Sequence, residues 1–333
     1  MPTPRKPLCP EDFSPLSSLP KNAMSPNTPS LSIVILSWNT LELTCKCIES
    51  LYADTTGRSR EIIVVDNGSA DGSADAIAER FPDVILIRNA DNRLYSEGNN
   101  QGAWRATGEY LCLLNSDTEV SVGALDKVQD FLIANPDYGA ASPKLIWPDG
   151  KVQCASNRLP TILAAVTEVT VLGDVPPGNW LSDWTHMKDF DHQTSRDVDQ
   201  PPGACVMMKR TEFVAMGGLD QTLSLYFNDV DLCDRLKRAG RKVRYIADAV
   251  VVHHAGQSAL KLNREKLGIL WWRNQHSYYR KRWGRVGGAW HRLVLFAWAT
   301  EQASRYRLGP KTPEQRRVAM DELKTHVRAC LAQ

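Results

Sequence analysis

The stretch LLNSDTEV, Leu113 to Val120, sets Asn115, Ser116 and Asp117 directly behind an apolar run that reads as the end of a buried strand. Asn115 and Asp117 are two residues apart. In an extended backbone they point to the same side, where both can reach one cation or its attached phosphate oxygens. Hard oxygen ligands suit Mg2+ or Mn2+, and such an ion neutralises a diphosphate leaving group. The competing reading is an Asx turn capping a helix that starts near Val122. A second cluster, VVDNGSADGS, places Asp66 behind another apolar run. Asp66 is able to accept a hydrogen bond from a nucleobase or ribose, or merely to close a strand-to-helix turn in which Asp71 or Ser69 caps the helix. In a third, Ser37-Trp38-Asn39, the indole of Trp38 offers an aromatic face to a base.

Further along, LYFNDVDLCDRLKRAG puts Asp229 and Asp231 just before a helix whose apolar positions include Val230, Leu232, Cys233 and Leu236, with Asp234, Arg235, Lys237 and Arg238 on the polar face. Asp229 serves as a general base if it faces a cleft, and as a dipole-stabilised carboxylate if it does not. PPGACVMMKR reads as a turn into a strand, where Gly203 permits close backbone approach to a ligand or a simple bend. VVVHHAG ends a strand in His253 and His254. One of them is a candidate metal ligand, the alternative being a surface or packing pair, and the lack of a Cys or His partner argues against zinc.

The elements that must position these residues begin near Leu31. LSIVILS, EIIVVD, DVILIR and EYLCLLN read as strands, and LELTCKCIESLY and SADAIAERF as helices between them. The βαβαβαβ order predicts an α/β fold, a Rossmann-like, mainly parallel sheet flanked by helices, with ligands at the carboxyl ends of the strands. The three polar clusters fall at those ends. No G-x-G-x-x-G, G-x-x-x-x-G-K or G-x-S-x-G motif is present, which argues against a dinucleotide fold, a P-loop and a hydrolase elbow.

A chain of 333 residues, 43% hydrophobic, buries a substantial core. Its eight cysteines include no Cys-x-x-Cys pair and mostly sit among apolar neighbours, which fits a reducing, cytoplasmic compartment. The net charge of +2 gives no global field for nucleic acid. Residues 1–30, rich in Pro and Ser, read as a disordered leader without the apolar core of a signal peptide. The longest apolar run near the end, LVLFAWA, falls well short of the roughly 20 residues of a transmembrane helix. Residues 259–333 read as a basic and aromatic helical extension. Between Trp271 and Arg292 there are six Arg or Lys and no Asp or Glu, with Trp271, Trp272, Tyr278, Tyr279, Trp283 and Trp290 interspersed. That pattern suits a membrane-surface contact through 271–299, peripheral on the inner face of the cell membrane, or else a helix packed on the folded domain or a homodimer face.

Taken in order over Leu31 to Ser258, the pieces SIVILSWN, VVDNGSADGS, NADNRLYSEGNNQG, LLNSDTEV, PPGACVMMKRTEFVAMGGLD, LYFNDVDLCDRLKRAG and VVVHHAG resemble the inverting, family-2 glycosyltransferases of GT-A fold, especially their bacterial rhamnosyltransferase-like branch. The resemblance implies a catalytic domain at 31–258, with a nucleotide-binding half at 31–120 and an acceptor-binding and catalytic half at 121–258. It implies that NSD occupies the place of the Asp-x-Asp-like metal motif, with Asp117 the main cation ligand, Asn115 auxiliary, and His253 or His254 completing the site. Trp38 would pack near the base, Asp66 would bind the uracil or thymine edge, and Asp229 would be the catalytic base, although Asn228-Asp229 stands where the family often has Glu-Asp. The segment with Asn92, Gly98 and Asn100 resembles a sugar-nucleotide-binding turn, with Arg93 contacting phosphate or facing solvent. The implied donor is a nucleoside-diphosphate sugar, dTDP-L-rhamnose foremost with UDP-sugars open, used with Mg2+ or Mn2+. The acceptor would be a saccharide or lipid-linked saccharide in cell-surface polysaccharide synthesis, held partly by residues 148–200. Two rivals stay open: a catalytically silent nucleotide-sugar-binding scaffold, and an enzyme that hydrolyses the donor or exchanges pyrophosphate.

Overall fold

The computed structural model describes residues 29–54, 58–169, 179–257, 261 and 263–308, with separate positions between 312 and 324. The leader expected at 1–30 lies outside the described residues apart from Pro29 and Ser30. Strand β1 (Leu31–Ser37) leads to α1 (Leu41–Ala53), β2 (Arg60–Asp66), α2 (Ser73–Arg80), β3 (Ile85–Arg88), α3 (Leu94–Arg105) and β4 (Tyr110–Asn115). After β5 (Thr118–Val120) and α4 (Ala124–Ala134) come β6 (Tyr138–Ile146), α5 (Ala164–Val169), α6 (Asn179–Thr185), β7 (Arg196–Asp197) and β8 (Cys205–Lys209). The remainder is α7 (Arg210–Ala215), α8 (Asn228–Arg238), β9 (Lys242–His253) and α9 (Arg264–Leu308).

Among the described residues the strands form one nine-stranded sheet in the order β3-β2-β1-β4-β8-β6-β9-β5, with β7 on β9. The first four strands are parallel, and β8 runs antiparallel between β4 and β6. The two halves expected at 31–120 and 121–258 therefore share one sheet. Alternation along β1 assigns its two faces. Leu31, Ile33 and Ile35 join α1 and α4 in one core layer, whereas Val34 joins Ala103 of α3, Phe213 of α7 and Leu232 of α8 in the other. The chain runs from β1 to β2 on one side and later returns to β4 on the other, so a crevice opens at the carboxyl ends of β1 and β4, where α/β sheets hold ligands.

The segment with Asn92, Gly98 and Asn100, expected as a binding turn, is helix from Leu94 onward. It closes directly on the sheet, because a Cβ on Gly98 or Gly102 would come within 2.4 Å of Leu36 or Val34. Asn100 is buried in this helix, and its amide exchanges hydrogen bonds with the backbone of Leu219 at 2.8 Å each.

The carboxy-terminal helix packs on the sheet-bearing part of the chain. Tyr278 and Tyr279 are 1% and 0% exposed and share a core with Phe227 and Val230. Tyr279 donates to the Thr161 carbonyl and Trp290 to that of Ile162, both at 2.9 Å. Part of the basic charge pairs with carboxylates of the domain, as the packed-helix alternative expects: Lys281 lies 2.6 Å from both Asp220 and Asp231, and Arg282 is 3.0 Å from Asp234. Asp234, assigned to the polar face of α8, is thus buried, and Asp229 and Asp231 lie in its first turn rather than before it. Partly exposed ion pairs contribute about 0–1 kcal/mol each, whereas truncating a buried aromatic costs about 3–5 kcal/mol, so ring packing dominates the attachment of α9. Non-helical angles at Trp283 and Gly284 kink α9. Beyond the kink Val286, Leu293 and Phe296 are exposed. No helix among the described residues is long and apolar enough to cross a membrane.

Candidate active site

A cavity of 360 Å³ at the ends of β1 and β4 is lined by Trp38, Asn92, Asn115, Ser116, Asp117, Gly203, Asp229 and His253. Apolar walls come from Leu36, Leu94, Ala204 and Leu225, and Tyr95, Tyr226, Asn67, Asn228 and Gly256 complete the lining. Residues far apart in sequence converge because β4 ends beside β8 and because β5 pairs with the end of β9, bringing Thr118 opposite His253.

NSD is positioned differently from the extended segment expected. It turns between β4 and β5, closed by a 2.7 Å hydrogen bond from the Thr118 hydroxyl to the Asn115 carbonyl. It does not cap α4 either, since Gly123 holds that position without a side-chain cap. Asp117 is buried; its carbonyl accepts from His254 N at 2.9 Å and its Oδ2 from Gln257 N at 3.3 Å. Burial alone would raise the Asp117 pKa. The neighbouring His253 ring and the Gln257 N–H outweigh it and hold the carboxyl below its ordinary value.

His253 Nε2 lies 3.4 Å from Asp117 Oδ1, buried and without a hydrogen-bond partner. This orphaned nitrogen beside a carboxylate is a donor set that fits a divalent cation. Among the described residues no three His, Cys, Asp or Glu side chains converge as a metal cluster; Asp117 and His253 would hold such an ion, and Asn115, expected as an auxiliary ligand, lines the same cavity. His254 does not line the cavity; its Nε2 lies 2.8 Å from Glu119 Oε1.

Asp229 enters the cavity from the first turn of α8, after two consecutive residues, Tyr226 and Phe227, in the left-handed region. Its Oδ2 accepts from Gln200 Nε2 at 2.9 Å and its Oδ1 from Val230 N at 2.9 Å. Burial pushes its pKa up, against the opposing pull of the Val230 N–H and Gln200. A Cβ on Gly203 would come within 2.9 Å of Asp229 Oδ2, so glycine there is what gives the carboxylate room.

Asp66 ends β2 in a neighbouring cavity of 280 Å³, walled by Gly68, Ser69, Arg88 and Asn89. Its Oδ2 accepts from Ser69 N at 3.1 Å, while Oδ1 is buried and unpartnered, an acceptor available to a ligand N–H. Ser37, Asn39, Arg93 and Asn100 line neither cavity. The Ser37 hydroxyl bonds Thr44 at 2.9 Å beneath the floor. Asn39 ties its turn to the next by accepting from Ala70 N at 2.7 Å. Arg93 is paired with Glu97 at 2.8 Å, neither contacting the cavity nor standing free in solvent. Sequence reasoning missed Gln153 and Gln200, which hold His253 and Asp229. Both sit in an aperiodic polar stretch where no local spacing marks them.

A mixed sheet of this topology, with a carboxylate turn after β4 facing a helix-borne carboxylate across a cleft, is the architecture of a GT-A glycosyltransferase. The chain belongs to glycosyl transferase family 2, whose model matches residues 32–211, more than half its length. It is 29% identical over 216 residues to an N-acetylglucosaminyl-diphospho-decaprenol L-rhamnosyltransferase of Mycobacterium tuberculosis, covering 61% of this chain and 69% of that one. It is 30% identical over 236 residues to the O-antigen biosynthesis protein RfbC of Myxococcus xanthus, covering 69% of this chain and 18% of that protein. Among solved structures, the mannosyltransferase PcManGT from Pyrobaculum calidifontis in complex with GDP-Man and Mn2+ shares the fold, with a TM-score of 0.54 at 15% identity, covering 91% of this chain and 86% of that one. The protein is a glycosyltransferase.

Proposed function

We propose that this glycosyltransferase moves a sugar, L-rhamnose foremost, from a nucleoside diphosphate to a hydroxyl of a saccharide or lipid-linked saccharide, with inversion, in the synthesis of a cell-surface polysaccharide. The observation that carries the reading is the presence of Asp117, His253 and Asp229 around one cavity. The M. tuberculosis relative, named for L-rhamnosyl transfer to N-acetylglucosaminyl-diphospho-decaprenol, supports the choice of sugar and of a lipid-linked acceptor.

Asp66 Oδ1 would accept from the N–H of a pyrimidine while Trp38 packs beside the donor. Asp117 and His253 would hold Mg2+ or Mn2+, the imidazole favouring the transition ion Mn2+. The bound cation supplies charge neutralisation to the departing diphosphate. Asp229, with its raised pKa, would take the proton from the acceptor hydroxyl as that oxygen forms its bond to the anomeric carbon opposite the breaking carbon–oxygen bond. One displacement of this kind inverts the centre. On the outer half of α9, exposed Val286, Leu293 and Phe296 beside Arg285 support contact with an anionic membrane surface carrying the acceptor.

Asp229→Asn is the direct test. Loss of a general base costs roughly 10²–10⁴-fold in kcat. Transfer should fall by that factor while nucleotide affinity, measured by calorimetry, stays within a few-fold. Undiminished transfer would remove Asp229 from the role.

A further inference from the structure

We infer that Gln153 is a positioning residue that fixes the tautomer of His253, leaving a lone pair on Nε2 beside Asp117. The inference rests on the proposed cation-binding role of His253 and deepens it by one residue.

Gln153 is 7% exposed and sits 100 positions before His253 in sequence, just past the end of β6. Its own backbone is anchored, since its N–H donates to the Leu145 carbonyl at 2.9 Å. The side chain makes two contacts with one residue. Nε2 donates to the His253 carbonyl at 2.7 Å, and Oε1 lies 3.0 Å from His253 Nδ1. A backbone carbonyl only accepts, so the first contact identifies the nitrogen end of the amide and thereby its oxygen end. An amide oxygen also only accepts, so Nδ1 must carry the hydrogen. In the neutral ring Nε2 is then unprotonated. That nitrogen is the buried atom without a hydrogen-bond partner, 3.4 Å from Asp117 Oδ1.

Two acceptors thus face each other at the cavity wall. Such a pair repels unless a positive charge lies between them, and a metal ion satisfies both lone pairs. Ring nitrogens that bind metals commonly have their orientation set through the opposite N–H by an acceptor of this kind. Here the same amide also pins the backbone of the ligand residue, so ring position and protonation are fixed by a single side chain. The arm that carries Gln153 continues to Asn157, whose backbone pairs with that of Gln200 at 2.9 and 3.0 Å. Gln200 in turn holds Asp229.

The test uses the full chain and Mn2+ alone, with free Mn2+ counted by electron paramagnetic resonance, and ¹⁵N spectra of histidine-labelled protein without metal. In the wild type the His253 ring should carry its hydrogen on Nδ1; a hydrogen on Nε2 in the neutral ring overturns the inference without any variant. Gln153→Leu should weaken Mn2+ binding by about 10–100-fold and yield mixed His253 tautomers. Gln153→Glu retains the acceptor for Nδ1–H but loses the donor to the carbonyl, and should stay within a few-fold of the wild type. Equal weakening in both variants would make Gln153 a backbone staple only, and unchanged binding in Gln153→Leu would deny it any role; either result overturns the inference. If the wild type itself binds no Mn2+, the cation reading fails, a result separate from the tautomer spectrum.

Discussion

Asp229 and its partner Gln200 set the pH dependence expected at the level of single residues. The carboxyl must be ionised to accept a proton, and burial raises its pKa above the ordinary value near 4. The acid limb of kcat/KM should therefore lie above the range of a free carboxylate, with activity lost as pH falls through the raised value. The Gln200 N–H favours the charged form, so Gln200→Leu should move that limb to higher pH. A pH–rate profile of both proteins checks the direction, and a downward move would contradict the assigned hydrogen bond. Much of this site was legible before folding was considered, because Asp66, Asp117 and Asp229 each follow a recognisable strand end or open a helix. The two glutamines were not legible. Their bonds to Asp229 and His253 span 29 and 100 positions, and glutamine in a polar stretch carries no spacing signal. Asn100 and Arg93 gave the opposite error: amide and guanidinium groups look ligand-directed in a sequence whether they meet a phosphate or, as here, Leu219 and Glu97.

Among the elements, α9 is the one whose composition leaves most open. Its aromatic and basic residues carry the same composition whether they face lipid or the domain, and only the packing partners distinguish the two. Tyr278 and Tyr279 found them in Phe227 and Thr161. Two buried histidines on α9 give this element its own pH signature. Burial lowers the pKa of His276 to about 4, helped by Arg292 and Arg280, and that of His291 to about 3, helped by His276. Both are bases that are depressed in the folded state, against about 6.5 when unfolded. Between those limits the unfolded chain binds more protons, so stability declines as pH falls below about 6.5 and continues to decline toward 4 and 3. Thermal unfolding followed from pH 7 to 4 should show that decline, and a His276→Gln, His291→Gln double variant should show a shallower one. An unchanged slope would mean the rings are not held neutral. By contrast the strands of residues 31–115 and the first two helices between them were legible to within a residue or two, since runs of Val and Ile buried on both faces leave little else for the chain to form, whereas α3, expected as a turn, was not.

For the whole molecule, one sheet brings the carboxylate turn and Asp229, the proposed general base, to a single cleft, and α9 projects an apolar stripe from the other end of its kink. If that stripe meets a membrane, Leu293→Ser with Phe296→Ser should reduce flotation with anionic phosphatidylglycerol vesicles several-fold and leave transfer to a water-soluble acceptor analogue unchanged. Equal flotation would assign the stripe elsewhere. Metal-dependent transfer of a sugar with inversion leaves a product of defined anomeric configuration. It is tested most directly by incubating the protein with a panel of dTDP- and UDP-sugars, Mn2+ or Mg2+, and a polyprenyl-diphosphate-linked N-acetylhexosamine acceptor, then reading the anomeric configuration of the product by NMR. The expected outcome is a glycosylated acceptor, dTDP-L-rhamnose the preferred donor, an anomeric centre inverted relative to that donor, and no product once EDTA has removed the metal. Retention of configuration, or donor hydrolysis without acceptor product, would contradict it.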